Sequence, residues 1–301
     1  RSPSRGLGDV YKRQSEYIIR NNIQQAALTP KDKLIKFNER VATPSQVAHG
    51  IRYAYWFHGK EKINRAIKNQ IGIIQSQDQL IHSLEKELEI PWFFGDYLKS
   101  RDFIDLKISN LNVKPDSLTF KVTQKQKGLI PFTIAQIKED SIIQSIAIKD
   151  YKKTHHFKLK NLQSDYVVIN PKVKIPEFNQ LNNYKRVSKT SIKPLKFTFI
   201  KDFEDPKRNQ IFFNPITDFN AYEGLTFGTR LSNKSFERKP IIYEITPMYS
   251  LKLNEIVGSV KFNYLIYKEK SSFYLTNIGF YGSNYHYDEN LRYQTFIPSI
   301  T

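Results

Sequence analysis

The sequence predicts an α+β multidomain chain: a short α-helical bundle, then a β-sandwich, then a run of antiparallel strands. Three observations carry this. Up to Leu88, apolar residues recur at three- and four-residue spacing. From Ile104 they alternate with polar ones. Beyond residue 206 the alternation continues in runs of about ten residues, rich in Tyr and Phe.

Residues 15–100 read as short helices. Thr29-Pro30-Lys31-Asp32 offers an N-cap, a proline at the first helical position and an acid in the first turn. Thr43-Pro44 repeats the signal and opens a helix with Val47, Ile51, Ala54 and Tyr55 on its apolar face. Gly59 should end it. A helix from Glu61 to Ile74 should follow, burying Ile63, Ala66, Ile67, Ile71 and Ile74. Ser76 caps another, with Leu80, Ile81, Leu84 and Leu88 inward. Pro91 then starts Trp92-Phe93-Phe94-Gly95-Asp96-Tyr97-Leu98, a cluster of aromatic anchors suited to docking a last helix on a β domain.

Residues 101–184 read as the β-sandwich. Ile104, Leu106 and Ile108 alternate with polar residues, Pro115-Asp116-Ser117 turns the chain, and Leu118, Phe120 and Val122 resume. Further strands are expected at Phe132–Ile137, Ile142–Ile148, His156–Leu159 and Tyr166–Ile169. The Asn-rich stretch Ile175–Tyr184 reads as a tight structural turn. Residues 185–205 read as a polar linker. In 206–301, strand-like runs are Gly224–Leu231, Pro240–Tyr249, Glu255–Tyr267, Ser272–Tyr281 and Leu291–Ile300, with turns near Asn233-Lys234, Asn254, Lys268-Glu269 and Asn284–Asn290. In Glu255–Tyr267 one face carries Ile256, Val260, Phe262 and Ile266, and the other Lys261 and Asn263. That dyad pattern fits both a membrane barrel and a soluble sandwich.

Several of these segments resemble one family. Trp92-Phe93-Phe94-Gly95-Asp96-Tyr97 followed by Ile104-Asp105-Leu106-Lys107-Ile108 is similar to the end of the catalytic helical region in M1-type gluzincin metallopeptidases of Bacteroidetes-like bacteria. The Glu177-Phe178-Asn179-Gln180-Leu181-Asn182-Asn183 turn and Lys201-Asp202-Phe203-Glu204-Asp205-Pro206-Lys207 also resemble that subgroup. The resemblance implies an aminopeptidase-like zinc hydrolase followed by a C-terminal outer-membrane β-barrel. Residues 206–301 would then be the first strands of an incomplete barrel, in contact with outer-membrane lipid. The chain would be a piece of a longer parent protein that acts on peptides, with a periplasmic or surface-facing soluble portion. A non-enzymatic outer-membrane receptor or transport protein with a degenerate peptidase-like module is the rival.

No catalytic centre is expected in the chain itself. A gluzincin needs His-Glu-x-x-His on a helix, and none occurs. The six histidines are His49, His58, His82, His155, His156 and His286, with no pair at ligand spacing on a helix. His82-Ser83-Leu84-Glu85 is half of an inverted motif, with Lys86 where the second His belongs. His155 and His156 should point to opposite faces of a strand and be solvated. By resemblance, Ser45 stands where the family carries an oxyanion-stabilising Tyr, and its hydroxyl is too short for that role. The expected cofactor of this chain is none, with zinc assigned to the parent.

Composition narrows the rest. There is no cysteine, so disulfides and thiolate metal sites are excluded. The first fourteen residues, Arg1–Gln14, resemble translated sequencing-adaptor sequence and are left out of fold reasoning. Arg1, Arg5, Lys12 and Arg13 against Asp9 give that tail +3, leaving +15 of the formal +18. The lysines are scattered and form no stripe with interleaved aromatics, so no nucleic-acid partner is expected.

Overall fold

The structure is a computed structural model; it describes residues 14–73, 76–172, 175–188, 192–267, 272, 275–288 and 291–301. The adaptor-like segment, apart from Gln14, lies outside the described residues, as do Ile74 and the Lys268-Glu269 turn. The chain mixes helices with fourteen described strands in three sheets, and divides into two compact units, 1–192 and 193–301.

In the first unit, residues 14–20 form helix α1. Thr29-Pro30 opens only a single 3₁₀ turn, Lys31–Lys33. A π-helical turn, Asn38–Ala42, runs directly into α2, Thr43–His58, so Thr43 is not a cap. The buried face of α2 is Ser45, Gln46, His49, Gly50, Tyr53, Ala54 and Phe57, whereas Val47, Ile51 and Tyr55 are only half-buried at its flank. The physical reason is close approach. A Cβ on Gly50 would come within 2.4 Å of Tyr97 and 2.6 Å of Phe93, so the aromatic turn presses on the bare backbone there. Gly59, at φ 89°, ends α2 in a conformation that favours glycine.

Helix α3, Lys60–Asn69, buries Ile63 and Ala66 but stops before Ile71, which is 76% exposed. The expected extension to residue 74 fails because Gln70–Ile73 turn instead, with Gln70 Nε2 donating to Glu87. Helix α4, Gln77–Leu88, starts as read: Ser76 Oγ accepts the Gln79 N–H at 3.3 Å. Pro91 precedes a six-residue π-helical segment, Trp92–Tyr97. Trp92 is 1% exposed and sits edge-on to Tyr53 at 5.6 Å.

Two antiparallel sheets follow. One has the order β1–β2–β5, the other β4–β3–β6–β7. Their strands are β1 Leu106–Val113, β2 Ser117–Gln124, β3 Phe132–Lys138, β4 Ser141–Ile148, β5 Thr154–Lys160, β6 Tyr166–Ile169 and β7 Tyr184–Arg186. Leu106, Ile108, Leu118, Phe120 and Val122 of one sheet share a single apolar cluster with Phe132, Ile134, Val167 and Ile169 of the other and with Tyr53, Leu88, Trp92 and Phe93 of the helices. A cluster of that size is the main stabilising term of the unit.

The second unit is one sheet in chain order, β8 to β14. Its strands are β8 Leu195–Phe199, β9 Asn209–Asn220, β10 Gly224–Ser232, β11 Ile241–Ser250, β12 Glu255–Tyr267, β13 Leu275–Asp288 and β14 Leu291–Ile300. β8 pairs with β9 in parallel, and every later neighbour is antiparallel. Two expectations need correction. Residues 185–205 are not all linker: they hold most of β7 and all of β8. Asn284–Asp288 is strand and not turn, since β13 stays paired with β14 through a bulge near His286.

Candidate functional site

The sequence-predicted residues do not come together. Ser45 is fully buried on α2, and its Oγ has no hydrogen-bond partner among the described residues. It faces the interior and not a cleft. One turn on, His49 Nδ1 donates to the Ser45 carbonyl oxygen at 2.9 Å, with Ser15 Oγ 3.1 Å from the same nitrogen. His58 Nε2 accepts the Trp92 indole N–H at 3.3 Å. Burial, with Lys149 and Lys62 nearby, holds His58 below the ordinary histidine range, which suits an acceptor. His82 is exposed on α4. His155 and His156 do point to opposite faces, but only His156 is solvated; His155 packs inward, edge-on to Phe132 at 5.2 Å. His49 and His58 share α2 and His155 and His156 share β5, but none of these pairs converges on a common point. Among the described residues no group of three His, Cys, Asp or Glu side chains converges as a metal site.

The Asn-rich turn has a stronger chemical identity than its sequence revealed. It carries Glu177 into the interior of the first unit, where it is 1% exposed. Glu177 Oε2 accepts the Leu106 N–H at 2.9 Å and Oε1 accepts Asn183 Nδ2 at 2.7 Å. Asn182 Nδ2 donates to Asp105 at 2.7 Å, and Arg20 from α1 donates to Gln180. Burial pushes the Glu177 carboxyl up to about 8, outweighing both donors. This node ties α1, the start of β1 and the turn together. The Glu177 carboxylate is spent on the fold through Leu106 and Asn183, while Asn182 Oδ1 and Asn183 Oδ1 have no hydrogen-bond partner among the described residues.

The second unit offers a surface and not a catalytic cluster. The register assigns every strand residue to one of two faces. One face carries Leu195, Phe197 and Phe199; Ile211, Phe213, Pro215 and Phe219; Leu225, Phe227 and Leu231; Ile241, Tyr243, Ile245 and Tyr249; Ile256, Val260, Phe262, Tyr264 and Ile266; then Ile278, Phe280, Phe296 and Ile300. Phe262, Phe280 and Phe296 line up across three strands with ring centroids 5.7 and 5.6 Å apart. From β8 to β12 no charged side chain interrupts this face. It is open: Phe219 is 72% exposed, Ile256 69% and Phe296 70%. The opposite face carries Asn214, Asp218, Arg230, Glu244, Lys261, Asn263 and Asn277, with Arg230 Nε 3.3 Å from Glu244. Its Phe212, Thr226, Thr246, Met248, Ser250 and Val257 are buried. This face is therefore partly enclosed, although Asp218, Arg230 and Lys261 on it are exposed.

Comparison with known proteins adds little to this geometry. No protein-family model and no curated protein matches the chain. The chain is similar to a solved structure described as the crystal structure of S. aureus TarS, at 7% identity and a TM-score of 0.19, covering 97% of this chain and 59% of that one. A likeness that low carries no argument about fold or activity.

Proposed function

We propose that residues 193–301 are lipid-facing strands of an outer-membrane β-barrel, and that the chain is the membrane-anchoring portion of an M1-like metallopeptidase. One observation carries the membrane part: an apolar face that no charged side chain interrupts from β8 to β12 stands open, with large side chains such as Phe219 and Ile256 exposed, and backs onto a polar, partly enclosed face. Water penalises such a surface, whereas hydrocarbon does not. A soluble sandwich needs a second sheet over that face, and among the described residues of this unit there is none. Strands β9–β14 run from nine to fourteen residues, enough for tilted spans of about 9–11 residues through a bilayer. The peptidase part rests on the aromatic and turn motifs alone, and no catalytic step is derived for this chain.

The absence of cysteine makes the test direct. Single cysteines placed along β12 in the full chain, reconstituted in vesicles, can carry a fluorophore read against lipid-borne and water-borne quenchers. Positions 256, 260, 262 and 266 should respond to the lipid quencher, and 257, 259, 261 and 263 to the aqueous one. Uniform aqueous quenching overturns the barrel. For the peptidase part, the longer parent should hold one zinc per chain and cleave an aminoacyl reporter. A parent that binds peptide without zinc or cleavage favours the receptor reading.

A further inference from the structure

The turn between β9 and β10 and the end of β13 lie three strands apart, roughly 14 Å along a sheet at ordinary spacing. Yet Glu223 Oε1 in that turn accepts the backbone N–H of His286 on β13 at 2.9 Å, and lies 3.5 Å from His286 Nδ1. The sheet curls until these two places meet at one end. Both residues are nearly inaccessible. Glu223 is fixed from behind: its N–H donates to Asn220 Oδ1 at 2.7 Å, Asn220 Nδ2 donates to its Oε2 at 3.0 Å, and Ser250 Oγ on β11 donates to its carbonyl at 2.6 Å. On the other side of the ring, Arg292 Nε on edge strand β14 donates to His286 Nε2 at 2.9 Å. Arg292 also pairs with Glu255 on β12, whose Oε2 is 3.1 Å from the same ring nitrogen.

With Arg292 Nε donating to Nε2, the neutral ring carries its hydrogen on Nδ1, turned toward Glu223 at 3.5 Å but making no hydrogen bond to it. A protonated ring carries hydrogen on both nitrogens. Nδ1 still faces Glu223, Nε2 donates to Glu255, and Arg292 Nε loses its acceptor. Each ring nitrogen already has a carboxylate beside it. The other charged groups on these elements are Asp218 on β9, Asp288 on β13 and Lys252, which donates to the Ala221 carbonyl at 3.1 Å.

We propose that Glu223 and His286 form a clasp that fixes the curl of the seven-stranded sheet, and that ring protonation tightens it by moving a hydrogen bond from Arg292 on the edge strand to Glu255 on β12. The clasp is a property of the sheet itself, whatever surrounds it. Histidine is the side chain whose charge ordinarily changes between about pH 5 and 8, which sets the range the test covers.

The experiment places spin labels at Tyr222→Cys and Tyr287→Cys, exposed neighbours of the two partners, in the otherwise unaltered full chain. Electron dipolar distances are read at about pH 8 and about pH 5, on either side of the ordinary histidine range. The native pair should give a short, narrow distance whose population grows in acid. Glu223→Gln keeps an oxygen for the His286 N–H but loses the charge, and should abolish the acid response. His286→Gln should do the same. Ring nitrogen chemical shifts in the unsubstituted chain supply a readout that needs no variant: the Nδ1–H tautomer at high pH and both nitrogens protonated at low pH. A native distance that ignores pH, an equal response in Glu223→Gln, or an Nε2–H tautomer at high pH would overturn the clasp.

Discussion

Strands β2 and β12 carry the same alternation and meet opposite fates. In β2, Leu118, Phe120 and Val122 are buried between two sheets. In β12, Ile256 and Tyr264 stand exposed while Val257, on the polar face, is the buried residue. Alternation therefore specifies a two-faced strand and nothing more; what covers the apolar face decides the architecture. The first unit supplies its own cover, since helices and both sheets feed one cluster. Among its described residues the second unit leaves its apolar face open, and the proposed reading covers it with lipid. The variants below separate these two solutions.

The largest effect should fall on the shared cluster. Trp92 fills the space between Tyr53, Phe93 and Tyr97. Trp92→Ala should cost the first unit about 3–5 kcal/mol, through lost burial plus the cavity left behind. Denaturant unfolding followed by circular dichroism should show the first unit's transition move while the sheet of the second unit persists. Loss of both together, or of neither, breaks the contrast between a self-covered unit and an externally covered one.

The second effect tests the external cover. Val260→Arg puts a charge on the open apolar face and should cost roughly 2–4 kcal/mol in a bilayer, whereas Asn263→Arg on the opposite, polar face should cost little. Folding titrations into vesicles read the difference. Equal costs at the two positions would mean that both faces see the same medium.

Particular residues show how much of this was legible in advance. The bounds of β12 and the core of β2 follow from clean alternation, and those of β14, β3 and β6 from strand-like apolar runs. The Ser76 cap and the buried face of α4 follow from spacing. The buried face of α2 did not, because its contact surface is Ser45, Gln46, His49 and Gly50, made interior by aromatic rings from a segment some forty residues on. β9 escaped because Ile211-Phe212-Phe213 breaks the alternation and Pro215 reads as a strand breaker. Pro215 is tolerated because the pairing with β8 stops at Phe213, so its missing N–H faces no neighbour on that side. Neither Glu177 nor the Glu223–His286 contact has a local signal. Both depend on segments brought together only by the fold.

The third effect belongs to Glu177. Its carboxyl is pushed up to about 8 when folded, from an ordinary value of 4.5, so the folded state holds the proton more tightly than the unfolded chain. The sign follows directly. This group's stabilisation is complete below about pH 4.5 and is lost as pH rises towards about 8. From this residue alone, the first unit should be more stable near pH 5 than near pH 9, by up to a few kcal/mol. Glu177→Gln keeps a carbonyl oxygen for the Leu106 N–H and should flatten that dependence. A native unfolding profile that is flat over this window, or steeper in the variant, would show that the buried carboxylate is solvated in practice.

The smallest effect is expected at Ser45. Its hydroxyl is buried with no partner among the described residues, so folding strips it of water without a compensating hydrogen bond. Ser45→Ala removes that unmet group and only one heavy atom. Stability should stay unchanged or rise by less than about 1 kcal/mol. The His49 interaction should survive, because His49 donates to the Ser45 backbone carbonyl and not to its side chain. The same variant tests whether Ser45 inherits any role from the Tyr that the resemblance places there. A residue sealed under α2 should leave peptide binding and cleavage in the parent untouched. A clear loss of stability would mean that the hydroxyl has a partner in solution. A loss of activity without a loss of stability would mean that α2 exposes this face when substrate binds.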